Sequence, residues 1–213
     1  MIDWIVSLAS LLVSIVAIII SIQQTRLSNK QQLFDRRLTC YIEFNTIYTL
    51  YIENKLYLES DDTFCSINDL IFSWLTNCTD LEEMTLAVLN PLHNEEQKVF
   101  LSKYEHLRNF SIEISMVFDD KIATILKEFI FSFAELLKTM YQQQVYITNI
   151  KKQEERDGMP NKLDDYQKGC KDMAKNLGIF QIRDRLANLN EEIVQKQIID
   201  QMKKSVRLPR LKK

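Results

Sequence analysis

The chain is 213 residues long with 27 basic and 29 acidic side chains, a formal charge of −2, and three glycines, none before Gly158. So few glycines exclude a sheet protein or a phosphate-binding α/β domain over the first 157 residues, because tight turns and phosphate loops need them. Four scattered cysteines (Cys40, Cys65, Cys78 and Cys170) with no C-x-x-C pair, and only two histidines, argue against a zinc site and against a disulfide framework.

The first predicted element is apolar. Trp4 to Ile22 is a run of 19 residues without a charge. At about 1.5 Å per helical residue it is long enough to cross a hydrocarbon core of about 30 Å. A cleaved signal peptide fits poorly, since no basic residue precedes the run and it passes without a small-residue cleavage box into "QQTRLSNKQQLFDRR". Asp3 stands on one side, and Arg26, Lys30, Arg36 and Arg37 follow on the other. Flanking charge therefore puts the N-terminus outside and the rest of the chain in the cytoplasm.

Within this run the polar residues keep a register. With Ser7, Ser14, Ser21 and Ser28 at heptad position a, position d takes Asp3, Ser10, Ala17, Gln24 and Gln31, and Asp35 continues the a row. Every a and d position from 3 to 35 is thus small or polar, while the other five positions inside the apolar run are nearly all aliphatic or Trp. A period of 3.5 rather than 3.6 residues predicts helices supercoiled about one another, a parallel bundle of several copies. Three readings are open. The hydroxyls bond back to their own helix and mean nothing more; or the small seam lets spans pack closely in an oligomeric anchor; or three or more helices line a narrow axial path, with an acidic Asp3 ring at the outer mouth favouring cations. In the last, Asp3, Ser7, Ser10, Ser14, Ala17, Ser21 and Gln24 are the lining.

The same helix is expected to continue into the cytoplasm, because Leu27, Phe34, Tyr41 and Tyr48 repeat at seven with Phe44, Tyr51 and Leu58 on the adjacent row, up to "ESDDT" at 59–63. A short helix follows around "INDLIFSWL", then one opened by a capping box at Thr79 and Glu82 and closed by Pro91. Two long helices, from about Glu95 to Phe118 and from about Asp120 to Glu155, read as an antiparallel hairpin with Phe129, Phe133, Leu136, Leu137, Met140 and Ile147 among its apolar positions. After the turn "RDGMPN" come a polar helix to about Asn176 and a last helix carrying Ile179, Ile182, Leu186, Leu189 and Ile193, whose spacing suits either a short coiled coil or packing within the chain. The partition is a span (1–25), a helical cytoplasmic domain (26–157) and C-terminal helices with a tail (158–213), all-α throughout.

No nucleophile elbow, zincin motif, P-loop or dinucleotide fingerprint occurs, so no catalytic residue, metal or cofactor is implied. Paired acids occur at 61/62, 82/83, 95/96, 119/120 and 164/165, and most stand at or near predicted helix N-termini, where the dipole favours them. Charge is uneven at the other end. Six of the 27 basic residues (Lys203, Lys204, Arg207, Arg210, Lys212 and Lys213) fall in the last eleven positions, leaving 21 basic against 29 acidic residues and a formal −8 before them. Such a tail suits an anionic leaflet or an anionic ligand.

"NKQQLFDRRLTCYIEF" (29–44), directly after a single N-terminal span, resembles a pattern Q-x-x-L-F-[DE]-[KR]-R-L-x-x-Y found in small bacterial and prophage membrane proteins, matched here by Gln31 or Gln32, Leu33, Phe34, Asp35, Arg36, Arg37, Leu38 and Tyr41. With the span it covers about a sixth of the chain. Proteins of this build look like membrane effectors of antiphage defence, and the coiled-coil span with a hydrophilic seam is similar to the channel effectors of the Hailong type. That resemblance implies a bacterial inner-membrane homo-oligomer gated by a short single-stranded oligonucleotide, which a partner nucleotidyltransferase makes. The ligand would then meet a local basic patch, either the C-terminal six or Lys151, Lys152 and Arg156. The alternative is a membrane-anchored oligomeric scaffold that docks a partner protein without conducting.

Overall fold

The computed structural model describes residues 2–55, 83–84, 87, 94–157 and 163–206, with side chains from Leu11 onward except those of 120, 151, 154, 157 and 163–167. Every regular element among them is an α-helix: α1 (Ile2–Glu53), α2 (Asn94–Val117), α3 (Asp120–Asp157), α4 (Leu163–Asn176), α5 (Ile179–Gln195) and α6 (Ile198–Ser205). The expected helix around "INDLIFSWL", the Thr79 box, Leu58, "ESDDT" and most of the turn at 156–161 lie outside the described residues.

Helix α3 is the hub, touching α2, α4, α5 and α1. It and α2 form the expected hairpin, closed by a two-residue corner in which the Asp119 carbonyl accepts the amides of Ile122 and Ala123 at 2.9 and 2.8 Å. Phe100 stacks on Tyr141 at 4.4 Å between ring centroids, and the Tyr104 hydroxyl donates to Glu135, which fixes the antiparallel register. All six apolar positions named for the hairpin are buried. Their burial, rather than helix propensity, holds these long helices together.

The cytoplasmic stretch of α1 lies against this hairpin. Phe129 of α3 is fully buried and meets three rings of α1, those of Phe44, Tyr48 and Tyr51, at 5.7, 5.7 and 5.3 Å. Helix α1 runs antiparallel to α2, as two polar contacts show: Arg37 Nε donates to the Val117 carbonyl at 2.9 Å, and His106 pairs with Glu43 at 2.9 Å. The last turn of α1 is held by Asn54, whose buried amide donates to the Leu50 carbonyl at 2.9 Å.

The C-terminal helices pack within the chain. Ile179, Leu186, Leu189 and Ile193 are buried in the same core as the hairpin, and Ile182 lies partly buried against it. Gly178 joins α4 to α5 at φ 72°, a left-handed conformation that side-chain-bearing residues adopt at a cost. The expected helix through Ile193 is α5, and a further short helix, α6, follows it. Gln197, at φ 51°, separates them and turns α6 back onto the core through Ile198 and Met202, the latter fully buried. No glycine marks that corner in the sequence.

Candidate functional site

Helix α1 leaves the body at Phe34, which is half-buried. From Leu11 to Leu33 every residue is exposed, and none of its apolar stretch is covered by the rest of the chain. Counted from Ile2 the projecting part is 32 residues, about 48 Å at helical rise. Val13 is 69% exposed and Ile18 60%, so this is not the core helix of a soluble domain. One helix is long and apolar enough to cross a membrane, and it lies at the N-terminus. Leu27 departs from expectation: it is 66% exposed, because the aromatic row is covered only from Phe34 onward, where the body begins.

Ser14, Ala17, Ser21 and Gln24 fall along one side of this projecting helix, and Asp3, Ser7 and Ser10 precede them in the same register on its backbone. Three threonines one position beyond the seam bond back to their own helix. Thr25 donates to the Ser21 carbonyl at 2.9 Å, Thr39 to Asp35 at 3.1 Å and Thr46 to Ile42 at 3.0 Å. The acceptor is in each case the carbonyl of an a-position residue four positions earlier.

The two basic clusters fall at opposite ends of the body. Lys152 and Arg156 are exposed near the end of α3, and Lys151 shares that turn of backbone. Lys203 and Lys204 are exposed in the last turn of α6, whose Gln201 and Ile198 line a cleft with Lys121 at the start of α3. About 30 residues of α3 separate the two, on the order of 45 Å. The structure therefore does not bring them into one site. Arg207, Arg210, Lys212 and Lys213 lie outside the described residues. Lys203, Lys204 and Lys121 share an end of the body with Arg36 and Arg37, the end from which the apolar helix departs.

The cleft between the start of α3 and the α5–α6 corner measures about 640 Å³. Its wall carries Lys121 and Lys196 but also Glu128 and Glu192. Glu128 takes Arg185 at 2.8 Å and Glu192 takes Lys196. Charges paired across a wall give an oligoanion little net attraction. Among aromatics that could stack a base, Tyr141 is committed to the core against Phe100, and burial raises its hydroxyl pKa above the ordinary value; Tyr146 is half-buried, and the Tyr166 side chain lies outside the described set. Cys40 and Cys170 are buried thiols, neither disulfide-bonded. Burial, reinforced by Glu113 and Glu43, pushes Cys40 up to about 11, so it stays a neutral thiol at physiological pH.

Among the described residues no three His, Cys, Asp or Glu side chains gather as they would around a metal. The chain matches no protein-family model, no curated protein and no solved structure.

Proposed function

We propose that this chain is the subunit of an oligomeric cation channel, three or more parallel copies each crossing a bacterial inner membrane once, with the N-terminus outside and the helical body in the cytoplasm. The observation that carries the reading is the pairing on α1 of an apolar surface exposed all round with a polar stripe in strict heptad register. A lone helix would hold that stripe against lipid. Several copies turn it inward, where hydroxyls and the Gln24 carboxamide replace part of an ion's hydration shell and Asp3 supplies negative charge at the mouth. In biological terms the reading is a ligand-gated effector of antiphage defence like those of the Hailong type, controlled by a short single-stranded oligonucleotide. Lys203 and Lys204 support that reading, since they lie at the end of the body from which the span departs.

The test is ion flux from liposomes holding the purified oligomer, wild type against Ser14→Leu, with and without short single-stranded DNA. Flux that leucine abolishes supports the pore, and suppression by DNA supports the ligand. Asp3→Asn should cut the preference for cations over anions several-fold; unchanged selectivity removes the acidic mouth. No flux from protein shown to be oligomeric rejects conduction. The membrane-anchored scaffold then takes its place, its small-residue seam letting the spans pack closely with no lumen.

A further inference from the structure

The heptad register of α1 does not stop with the apolar run. Continued past Asp35, positions a and d take Leu38, Ile42, Asn45, Thr49 and Ile52. Leu38 is 36% exposed, Ile42 57% and Ile52 41%, although they alternate with Cys40, Phe44, Ile47, Leu50 and Tyr51, none of which exceeds 5%. On a helical wheel the side buried against the body centres roughly 135° from the a/d side, so α2 and α3 cover the back of α1 and leave that face open. Polarity on this face changes along the helix. In the span it is the polar stripe of an apolar helix; beside the body it opens with the apolar pair Leu38 and Ile42, turns polar at Asn45 and Thr49 before Ile52, and is flanked by Arg36, Thr39, Glu43 and Thr46.

Two facts identify what covers the apolar pair. Leu38 lies 16 residues beyond Ile22, about 24 Å along the axis, farther than a headgroup layer of several ångströms reaches, so lipid does not. Between residues 4 and 52, moreover, positions a, d, e and g hold a single charged residue, Asp35. The basic residues Arg26, Lys30, Arg36 and Arg37 all fall at b, c or f. Parallel copies of α1 can therefore meet along this face without like-charge repulsion except at Asp35, where the stripe changes from polar to apolar.

We propose that Leu38 and Ile42 of three or more parallel copies form the apolar constriction that closes the conduction path on its cytoplasmic side, below an inner acidic ring of Asp35. This rests on the channel reading above and adds its gate. Cations drawn to Asp35 meet, roughly 5 to 10 Å farther on, two layers of side chains that cannot replace water of hydration, and a narrow apolar ring empties of water and stops conduction. Rotating or spreading the copies, as a ligand on the surrounding bodies would do, moves Leu38 and Ile42 off the axis.

The experiment measures cation flux from liposomes containing the full-length oligomer, comparing wild type, Leu38→Ser/Ile42→Ser, the same pair combined with Ser14→Leu, and the conservative Leu38→Ile/Ile42→Leu. Both residues are exposed, so serine does not disturb the core. The gate predicts at least a tenfold rise in basal flux for the serine pair, abolition by Ser14→Leu, and wild-type flux for the conservative pair. Serine variants that conduct no more than a conducting wild type overturn the gate and leave the channel standing. Loss of the cross-linked oligomer in the serine pair also overturns it, making these residues assembly contacts. Silence in every variant, from protein that cross-links as an oligomer, overturns the channel itself.

Discussion

The two halves of α1 are one continuous helix held by opposite means. Between Leu11 and Leu33 nothing in the chain covers it, whereas from Cys40 to Asn54 one side is sealed against α2 and α3. The projecting half is rich in Val and Ile (Val13, Ile15, Val16, Ile18, Ile19, Ile20, Ile22), which are indifferent helix formers in water because their branched side chains lose freedom against the preceding turn. In hydrocarbon propensity matters little, since every backbone amide has to be bonded internally and a single segment achieves that only as a helix. The body-bound half is held by packing instead. Its aromatic residues, packed on Phe129, supply the burial that fixes it.

Removing that burial should separate the halves most sharply. Phe129→Ala deletes the ring that Phe44, Tyr48 and Tyr51 surround, and should cost the body about 3–5 kcal/mol. Chemical denaturation in detergent would read the loss, while alkaline extraction of membranes should find the variant still embedded. Release of the variant from the membrane would mean that the body, not the apolar half, anchors the chain.

A smaller effect is expected where the halves join. Arg37→Ala removes the charged donor to the Val117 carbonyl and should cost about 1.5–3 kcal/mol, with amide exchange rising first in α1 near that residue. Exchange spread evenly over the body would show that the bond does not fix the exit point of α1. Tyr48→Phe should cost less, about 1 kcal/mol, since it takes one hydrogen bond of 2.9 Å from buried Asn190 and leaves the ring in place.

At neutral pH the last effect vanishes. The folded-state pKa values of Cys40, Tyr48, Tyr104 and Tyr141 are raised, the first from 9.0 to about 11 by burial and then by Glu113 and Glu43. Burial alone raises Tyr48 and Tyr141, and burial aided by the hydrogen bond to Glu135 raises Tyr104. A raised acid holds its proton longer folded than unfolded. Its stabilisation is complete below the unfolded pKa and is lost as pH climbs through the folded one. Body stability should be flat from pH 7 to about 9 and fall beyond, the first loss coming from Cys40, so that Cys40→Ala delays its onset. Thermal melts between pH 7 and 11 would check both statements, and an unchanged onset in the variant would remove Cys40 from the account.

Much of this architecture is legible in composition and spacing. The absence of glycine before Gly158 and the period of the apolar residues suffice for an all-α chain, and the hairpin boundaries fall within a few residues of α2 and α3 because the acidic pair Glu95 and Glu96 and the corner at Asp119 are strong local signals. The corner at Gln197 is not legible, since tertiary packing of Ile198 and Met202 imposes a left-handed residue that no local preference announces. Nor is the limit of the aromatic row. Leu27 and Phe34 are equivalent in periodicity, and only the position of the α2–α3 corner decides which of them is covered. The seam was visible as a register in the span, but its apolar continuation at Leu38 and Ile42 emerges once the body is known to occupy the opposite side of the helix. Spacing likewise could not place the basic clusters, because residues 152 and 203 are set apart by the length of α3.

Helix α1 contains neither glycine nor proline from Ile2 to Glu53, so it has no hinge. A rod of that kind acts as a lever whose short arm is gripped by aromatic rings and whose long arm carries the seam. If the body tilts about 10° at Phe44, Ser14, some 45 Å away along the axis, is swept sideways by about 8 Å. In an oligomer of the proposed kind, copies tilting together would splay like the ribs of an umbrella. On the proposed channel reading, a ligand held by the body would move the span without touching the membrane.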